Sequence, residues 1–247
     1  MGAAEDLYPG LLLDPDEIGA LRFAERGWPA PLFMLTWLAL MAALAAVLVP
    51  RQGAEALAGP VTGVLMLLGL IALAGRSTVR VHDHAFVVHV RAPFAVTYVI
   101  PWTTVDAGLV RLHRSANFIG RRMGPHPPRE RRMEPWHRTA VSVVGLAGDY
   151  ASAKRREPRL ALVRQQVVER PYEPVMPLPL RPWYLGTRRE HALLEALEDA
   201  LVRAGNAGAA GLAERCLADS VRERWPTPLS DQDIYGRPLP RRMSLDP

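Results

Sequence analysis

Two long stretches without a charge constrain this chain more than anything else in it. Between Arg26 and Arg51 there is no Asp, Glu, Lys, Arg or His, and the run ALAGPVTGVLMLLGLIALAG between Glu55 and Arg76 is equally free of them. An α-helix of about 20 residues spans the roughly 30 Å of bilayer hydrocarbon, and each run has that length. Hydrophobic residues make up 49% of the 247, yet the mean hydropathy is only +0.01. The apolar residues are therefore concentrated in these runs and offset by a charged remainder. The expectation is a two-helix transmembrane hairpin, about residues 31–50 and 56–75, anchoring a larger water-exposed domain.

A cleaved signal peptide begins with a basic segment. Here Glu5, Asp6, Asp14, Asp16 and Glu17 precede the first arginine, so the first helix reads as retained. Short cytoplasmic flanks carry an excess of Arg and Lys. Arg22 and Arg26 precede the first run and Arg76, Arg80 and Arg91 follow the second, whereas the connecting RQGAE holds Arg51 offset by Glu55. This predicts two spans in the inner (plasma) membrane, with both termini cytoplasmic. Neither run contains an ionisable residue, which transport pathways and proton relays usually require; the helices read as an anchor unless the protein oligomerises around another path. Small residues at spacing four, Ala39 with Ala43, Ala42 with Ala46 and Gly59 with Gly63, are candidate packing positions within the pair or with another subunit. Their plain alternative is an alanine-rich anchor.

Ahead of the first run, Asp14-Pro15-Asp16-Glu17 has the form of a capping box, and Ile18, Leu21 and Ala24 follow at helical spacing. This predicts a short amphipathic helix over 15–26, with Trp28 near the membrane interface. After Arg76 the pattern changes to short runs rich in Val, Thr, Phe and Tyr, which read as an antiparallel meander: strands 77–82, 86–91, 94–100 and one near 104–112, with a tight turn at 82–85. Further strands are expected at 139–146 and 160–168. Thr187, with Glu190 three residues on, reads as the cap of a helix over 187–204, whose apolar face is Leu193, Leu194, Leu197 and Leu201 and whose stop is Gly205. Residues 209–224 suggest a second short helix with Leu212 and Cys216 aligned, and the Pro-rich end from Trp225 reads as an extended tail.

The hairpin, the strands VRVHDHAFVVHVRAPFAVTYVIPWTTVDAGLV and the terminal helix TRREHALLEALEDAL together resemble the bacterial pleckstrin-homology-like membrane proteins. Asp83 matches the acidic turn between the first two strands of that family, and Ile100-Pro101-Trp102 with Val105 match its Pro-Trp element. The resemblance covers roughly residues 30–112 and 187–204. It implies an α+β domain, a twisted antiparallel sheet or partly open barrel capped by a C-terminal helix, and it carries over no catalytic residue. On this reading the chain divides into an N-terminal segment 1–29, the hairpin 30–76, a β-rich domain 77–205 and a tail 206–247.

Residues 111–138 are the most charged part of the chain, with Arg111, Arg114, Arg121, Arg122, Arg129, Arg131, Arg132 and Arg138 against Glu130 and Glu134. Arg121, Arg122, Arg129, Arg131 and Arg132 are the candidate contacts for anionic lipid or a protein partner; the plain reading is a solvated loop. Arginine clusters also bind nucleic acid, the weaker fit in a membrane-anchored chain. Arginine supplies 29 of the 30 basic residues, Lys154 being the one lysine, a bias of the kind a GC-rich, actinobacterial-type genome imposes. His82, His84 and His89 do not share one strand face, and His113, His126 and His137 match no metal spacing, so no metal site is expected. Cys216 is alone, and no phosphate-loop, dinucleotide-binding, nucleophile-elbow or zinc-protease motif occurs. The function these features favour is a non-enzymatic, membrane-anchored interaction or assembly module without a cofactor. Its expected partners are the bilayer and a protein or second copy; the alternatives are an anionic-lipid sensor and an enzyme of unrecognised type.

Overall fold

A strand of the water-exposed domain comes before the apolar helices. In the computed structural model, which describes residues 11–26, 31–74, 77–90, 96–114, 137–169 and 179–220, Leu21–Arg26 forms β1 and pairs antiparallel with β2, Ser77–His82. The expected amphipathic helix over 15–26 is therefore a turn followed by a strand. Half of the capping box does form: Asp14 N–H donates to Glu17 Oε2 at 3.2 Å, and Glu17 N–H donates to the Asp14 carbonyl at 3.0 Å. One turn later Gly19 takes φ +77°, and a Cβ there would lie 2.9 Å from that of Asp83. Only glycine fits that approach, and it redirects the chain into the sheet. From Leu21 the alternation of period two wins, with Phe23 buried between exposed Arg22 and Ala24.

Between β1 and β2 the chain runs through α1, Pro31–Gln52, a 3₁₀ turn at Ala54–Leu57, and α2, Ala58–Ala74. Leu32–Gln52 is long and apolar enough to cross a membrane, with none of its hydrophobic window buried inside the protein; α2 is apolar but shorter. The two helices touch along Trp37, Met41 and Leu67, and the Trp37 indole N–H donates to the Gly63 carbonyl at 3.0 Å. Outside that seam, Leu32, Leu35, Leu40, Leu65, Met66 and Leu68 are all more than half exposed. The polar side chains are satisfied locally, since the Thr36 and Thr62 hydroxyls donate to the carbonyls of Leu32 and Ala58 at 2.9 and 2.8 Å. Such satisfaction suits a medium that offers no hydrogen bonds.

The remaining strands are β3 Ala85–Val90, β4 Val96–Pro101, β5 Arg111–His113, β6 Thr139–Leu146 and β7 Leu180–Thr187. They form two antiparallel sheets, of order β1-β2-β3-β4 and β5-β6-β7. In place of the strand expected near 104–112 there are two 3₁₀ turns, Trp102–Thr104 and Ala107–Leu109, before the short β5. The Thr104 hydroxyl bonds to the Pro101 carbonyl at 2.8 Å and accepts from Leu146 N–H at 3.3 Å, which locks the corner to the second sheet.

The run 160–168 is helical: α3 spans Ala153–Glu169, with Arg156, Leu160, Val163 and Val167 recurring three and four apart toward the protein and Val168 80% exposed. Pro158, inside that helix, hid the period. Pro182 hid β7 in the same way, and the sheet tolerates it because β7 is an edge strand. α4, Glu190–Arg203, follows, and α5, Leu212–Ala218, ends the described chain.

One core lies between the sheets and α4. Phe23, Val81, Phe86, Tyr98 and Ile100 from the first sheet meet Leu112, Val141, Val143, Trp183 and Leu185 from the second, and Leu193, Leu194, Leu197 and Leu201 close over them. The aromatic rings bridge the sheets: Phe86 is 5.4 Å from Trp102 and edge-on to Trp183 at 6.3 Å, and Trp183 is 5.3 Å from Tyr98. Both indole N–H groups are bonded, Trp102 to the His82 carbonyl at 2.9 Å and Trp183 to that of Leu146 at 3.0 Å. This is how large rings enter a core without an unmet donor. The sheets meet tightly at Gly145, where a Cβ would stand 2.6 Å from Ile100 Cγ2.

Candidate functional site

Register fixes which residues gather at the end of the domain from which the helices leave. Arg26 pairs with Thr78 and Ser77 with Val90, and Val90 pairs in turn with Val96. In the second sheet His113 pairs with Ala140, and Thr139 with Thr187. Glu25 joins the two ends. Its carboxylate accepts the Thr187 hydroxyl at 2.5 Å and Arg188 N–H at 2.9 Å. Arg189 lies over the Phe23 ring at 4.7 Å and donates to the Ala24 carbonyl at 2.5 Å. The helix-capping role expected of Thr187 is thus divided. Thr187 is the last residue of β7, its oxygen accepts Arg189 N–H at 2.9 Å, and Glu190 instead pairs with Arg114 at 3.0 Å.

His137 sits in the same corner, 1% exposed, against the Gly186 backbone. Burial pushes its pKa below the ordinary histidine value, so the ring is held neutral.

The opposite end is organised by Asp83. Its carboxylate accepts Arg22 Nε–H at 2.7 Å and Ala20 N–H at 3.0 Å, and Arg203 stands at 3.6 Å. The bond from Arg22 holds its pKa below the usual carboxylate range. Asp83 therefore ties the β2–β3 turn to the start of β1 and the end of α4, a structural duty for the acidic turn residue. His82 Nδ1 donates to the Gly19 carbonyl at 3.1 Å, while His89 Nδ1 is 2.7 Å from Thr97 Oγ1. The three histidines of these strands do not converge, and among the described residues no group of three His, Cys, Asp or Glu could hold a metal. Cys216 is buried against the Val110 carbonyl at 3.4 Å, and burial raises its pKa, which leaves it a poor nucleophile.

A shallow cavity of about 200 Å³ opens between the N-terminal segment, β4 and the start of α3, lined by Leu13, Pro15, Thr97, Val99, Lys154 and Arg155 among others. Its walls carry no carboxylate, histidine or cysteine, so it lacks an acid–base pair.

The candidate packing residues divide. Gly63 lies in the α1–α2 seam, where a Cβ would collide with Met41 Sδ. Ala39, Ala43 and Gly59 are exposed, away from the seam. Arg121, Arg122, Arg129, Arg131 and Arg132 lie outside the described residues. Sequence reasoning missed Glu25 as the clasp between the sheets; its signal would have been a strand period over 21–26. No family model, curated protein or solved structure matches the chain.

Proposed function

We propose that the chain is a non-enzymatic, membrane-anchored interaction or assembly module: a pleckstrin-homology-like domain on the cytoplasmic face, carried by a two-helix transmembrane hairpin inserted between its first two strands. The observation that carries this reading is the pairing of β1 with β2 across the apolar helices. Because the chain leaves the sheet at Arg26 and rejoins it at Ser77, a first helix that crosses the bilayer obliges α2 to cross back. α1 has about 33 Å of rise and α2 about 25 Å. The exposed leucines around both helices favour lipid as their surroundings, since in water they would form an apolar patch far larger than soluble proteins carry. A four-stranded and a three-stranded antiparallel sheet around one core, closed by α4, supports the α+β domain with a capping helix on which this reading rests. The assembly role is supported by the small residues Ala39 and Ala43 on the face of α1 turned away from α2.

Cysteine cross-linking in native membranes tests this reading, in a Cys216→Ser background. Ala39→Cys and Ala43→Cys form disulfide-linked dimers on oxidation, or link to a reproducible second protein, whereas Met41→Cys in the seam does not. Absence of any cross-linked species from the exposed face, or extraction of the chain from membranes by alkaline carbonate, overturns it.

A further inference from the structure

We propose that the cavity at the start of α3 binds a small organic anion: an oxyanion head of the carboxylate or phosphate type on a short apolar body. Three elements enclose it, the N-terminal segment at Leu13, β4 at Val96 and Val99, and the start of α3 at Ser152, Lys154 and Arg155. Their arrangement is held from behind. Arg156 donates to the Leu13 carbonyl at 3.3 Å and pairs with Asp14, which ties the N-terminal segment to α3. Leu13 in turn packs on Ala85, Val87 and Val99, on the face of the first sheet turned away from the main core.

Ser152 gives the first sign of a ligand. It is 2% exposed and forms part of the cavity wall, yet its hydroxyl has no hydrogen-bond partner among the described residues. Standing directly before Ala153, it occupies the place from which a serine ordinarily caps a helix, and it makes no such bond. A buried hydroxyl is as a rule bonded, and one that faces a cavity is met by what fills the cavity.

The charge of the helix start gives the second sign. α3 runs for 17 residues and opens on Lys154, Arg155 and Arg156, with no acid in its first turn. The amide end of a helix is itself partly positive, so cations gathered there are unfavourable until an anion joins them. Two of the local cations are neutralised, Arg156 by Asp14 and Arg159 by Asp149 at 3.2 Å. Lys154 and Arg155 have no acid partner among the described residues. Lys154 is exposed, and Arg155 lies over the Tyr98 ring at 5.9 Å. Asp16 and Glu157 are exposed and pair with neither. One cavity thus brings together two uncompensated cations, a free hydroxyl and the first amides of a helix, the groups that hold an oxyanion.

The rest of the wall sets the body of the ligand. Thr97 is already bonded to His89, and the remaining surface is aliphatic. A bare inorganic anion would leave that surface wet, so the head carries a short hydrocarbon part. At about 200 Å³ the cavity is smaller than a typical site for a drug-sized molecule, so the body is short.

Calorimetry of the full chain in nonionic micelles tests this with butyl phosphate and butyrate. At least one of the two binds saturably, inorganic phosphate and butanol bind about tenfold more weakly, and hydrogen exchange slows at 96–99 and 152–156 on binding. Lys154→Gln and Ser152→Ala each weaken binding by about tenfold without lowering the melting temperature of the unliganded protein. Ala153→Leu, which narrows the mouth and keeps the charges, abolishes binding, whereas Arg51→Gln in the turn between the helices leaves it unchanged. Phosphatidic acid added to the micelles displaces the bound anion where the head belongs to a lipid; undiminished binding assigns the site to a dissolved anion. Three results overturn the inference: no saturable binding of either anion, binding indifferent to Lys154→Gln and Ala153→Leu, or butanol bound as tightly as butyl phosphate.

Discussion

Arg26 and Thr78 are direct partners across β1 and β2, although the chain between them passes through both apolar helices. The helix pair is thus an insertion into the edge of a sheet, and its two junctions stay on one side of whatever the helices enter. Impermeant maleimide labelling of intact cells checks this in a Cys216→Ser background. Glu55→Cys in the turn between the helices is labelled from outside, whereas Asp219→Cys after α5 is labelled only once the membrane is opened. Labelling of both positions from the same side rules out the double crossing.

Gly145→Ala tests how tightly the sheets meet. The added Cβ would stand 2.6 Å from Ile100 Cγ2, and Ile100 is fully buried, so the sheets must shift. Overpacking of this kind costs about 1–3 kcal/mol. In a double-mutant cycle read by denaturant unfolding in micelles, Ile100→Ala relieves part of that cost, so the two changes together destabilise less than their sum. Strict additivity would show that the close approach is not felt.

Glu25→Ala removes the acceptor shared by the Thr187 hydroxyl and the Arg188 N–H. Leaving such donors unmet costs about 1–3 kcal/mol. The loss is local, so hydrogen exchange accelerates at 186–190 and along β1 before the rest of the domain responds, and Glu25→Gln restores part of the protection. Unchanged exchange in Glu25→Ala would remove this residue as the clasp between the sheets.

His137 gives the domain an acid-sensitive point. Its folded pKa lies below that of the unfolded chain, so the unfolded state takes up a proton first as pH falls. Its effect on stability is nil above about pH 6.5, grows unfavourable as pH drops through that value, and levels off below the folded pKa. His137→Leu flattens this part of the melting temperature against pH. A variant with the same pH slope as the parent would rule out His137 as its source.

What the sequence disclosed and what it withheld divide along physical lines. The apolar helices, β2 to β4 and β6 were legible because their periodicity is undisturbed: continuous in 31–49, alternating at Val79 and Val81, dense in TAVSVVGL. Proline misled twice. It hid α3 at Pro158 and β7 at Pro182, since neither a local period nor a missing N–H reveals that a neighbouring element will accept the gap. β1 was misread because Ile18, Leu21 and Ala24 satisfy a helix as well as Leu21, Phe23 and Glu25 satisfy a strand. The tie is broken by pairing with residues more than fifty positions away, which no local window contains. For the same reason the duty of Asp83 could be matched to a family turn, yet its partners Arg22 and Arg203 could not be read before the fold brought them together.

The place of β1 also sets an order of assembly during synthesis. Its partner β2 is made only after both helices, an interval of several seconds at about 5–20 residues per second. Throughout that interval β1 is a strand without its partner. Arg22, Glu25 and Arg26 are the kind of charges that keep such an edge from pairing with the wrong chain. The sheet can close only when the second helix has delivered Ser77 back to the end of β1, so completion of the domain reports that both apolar helices have been made.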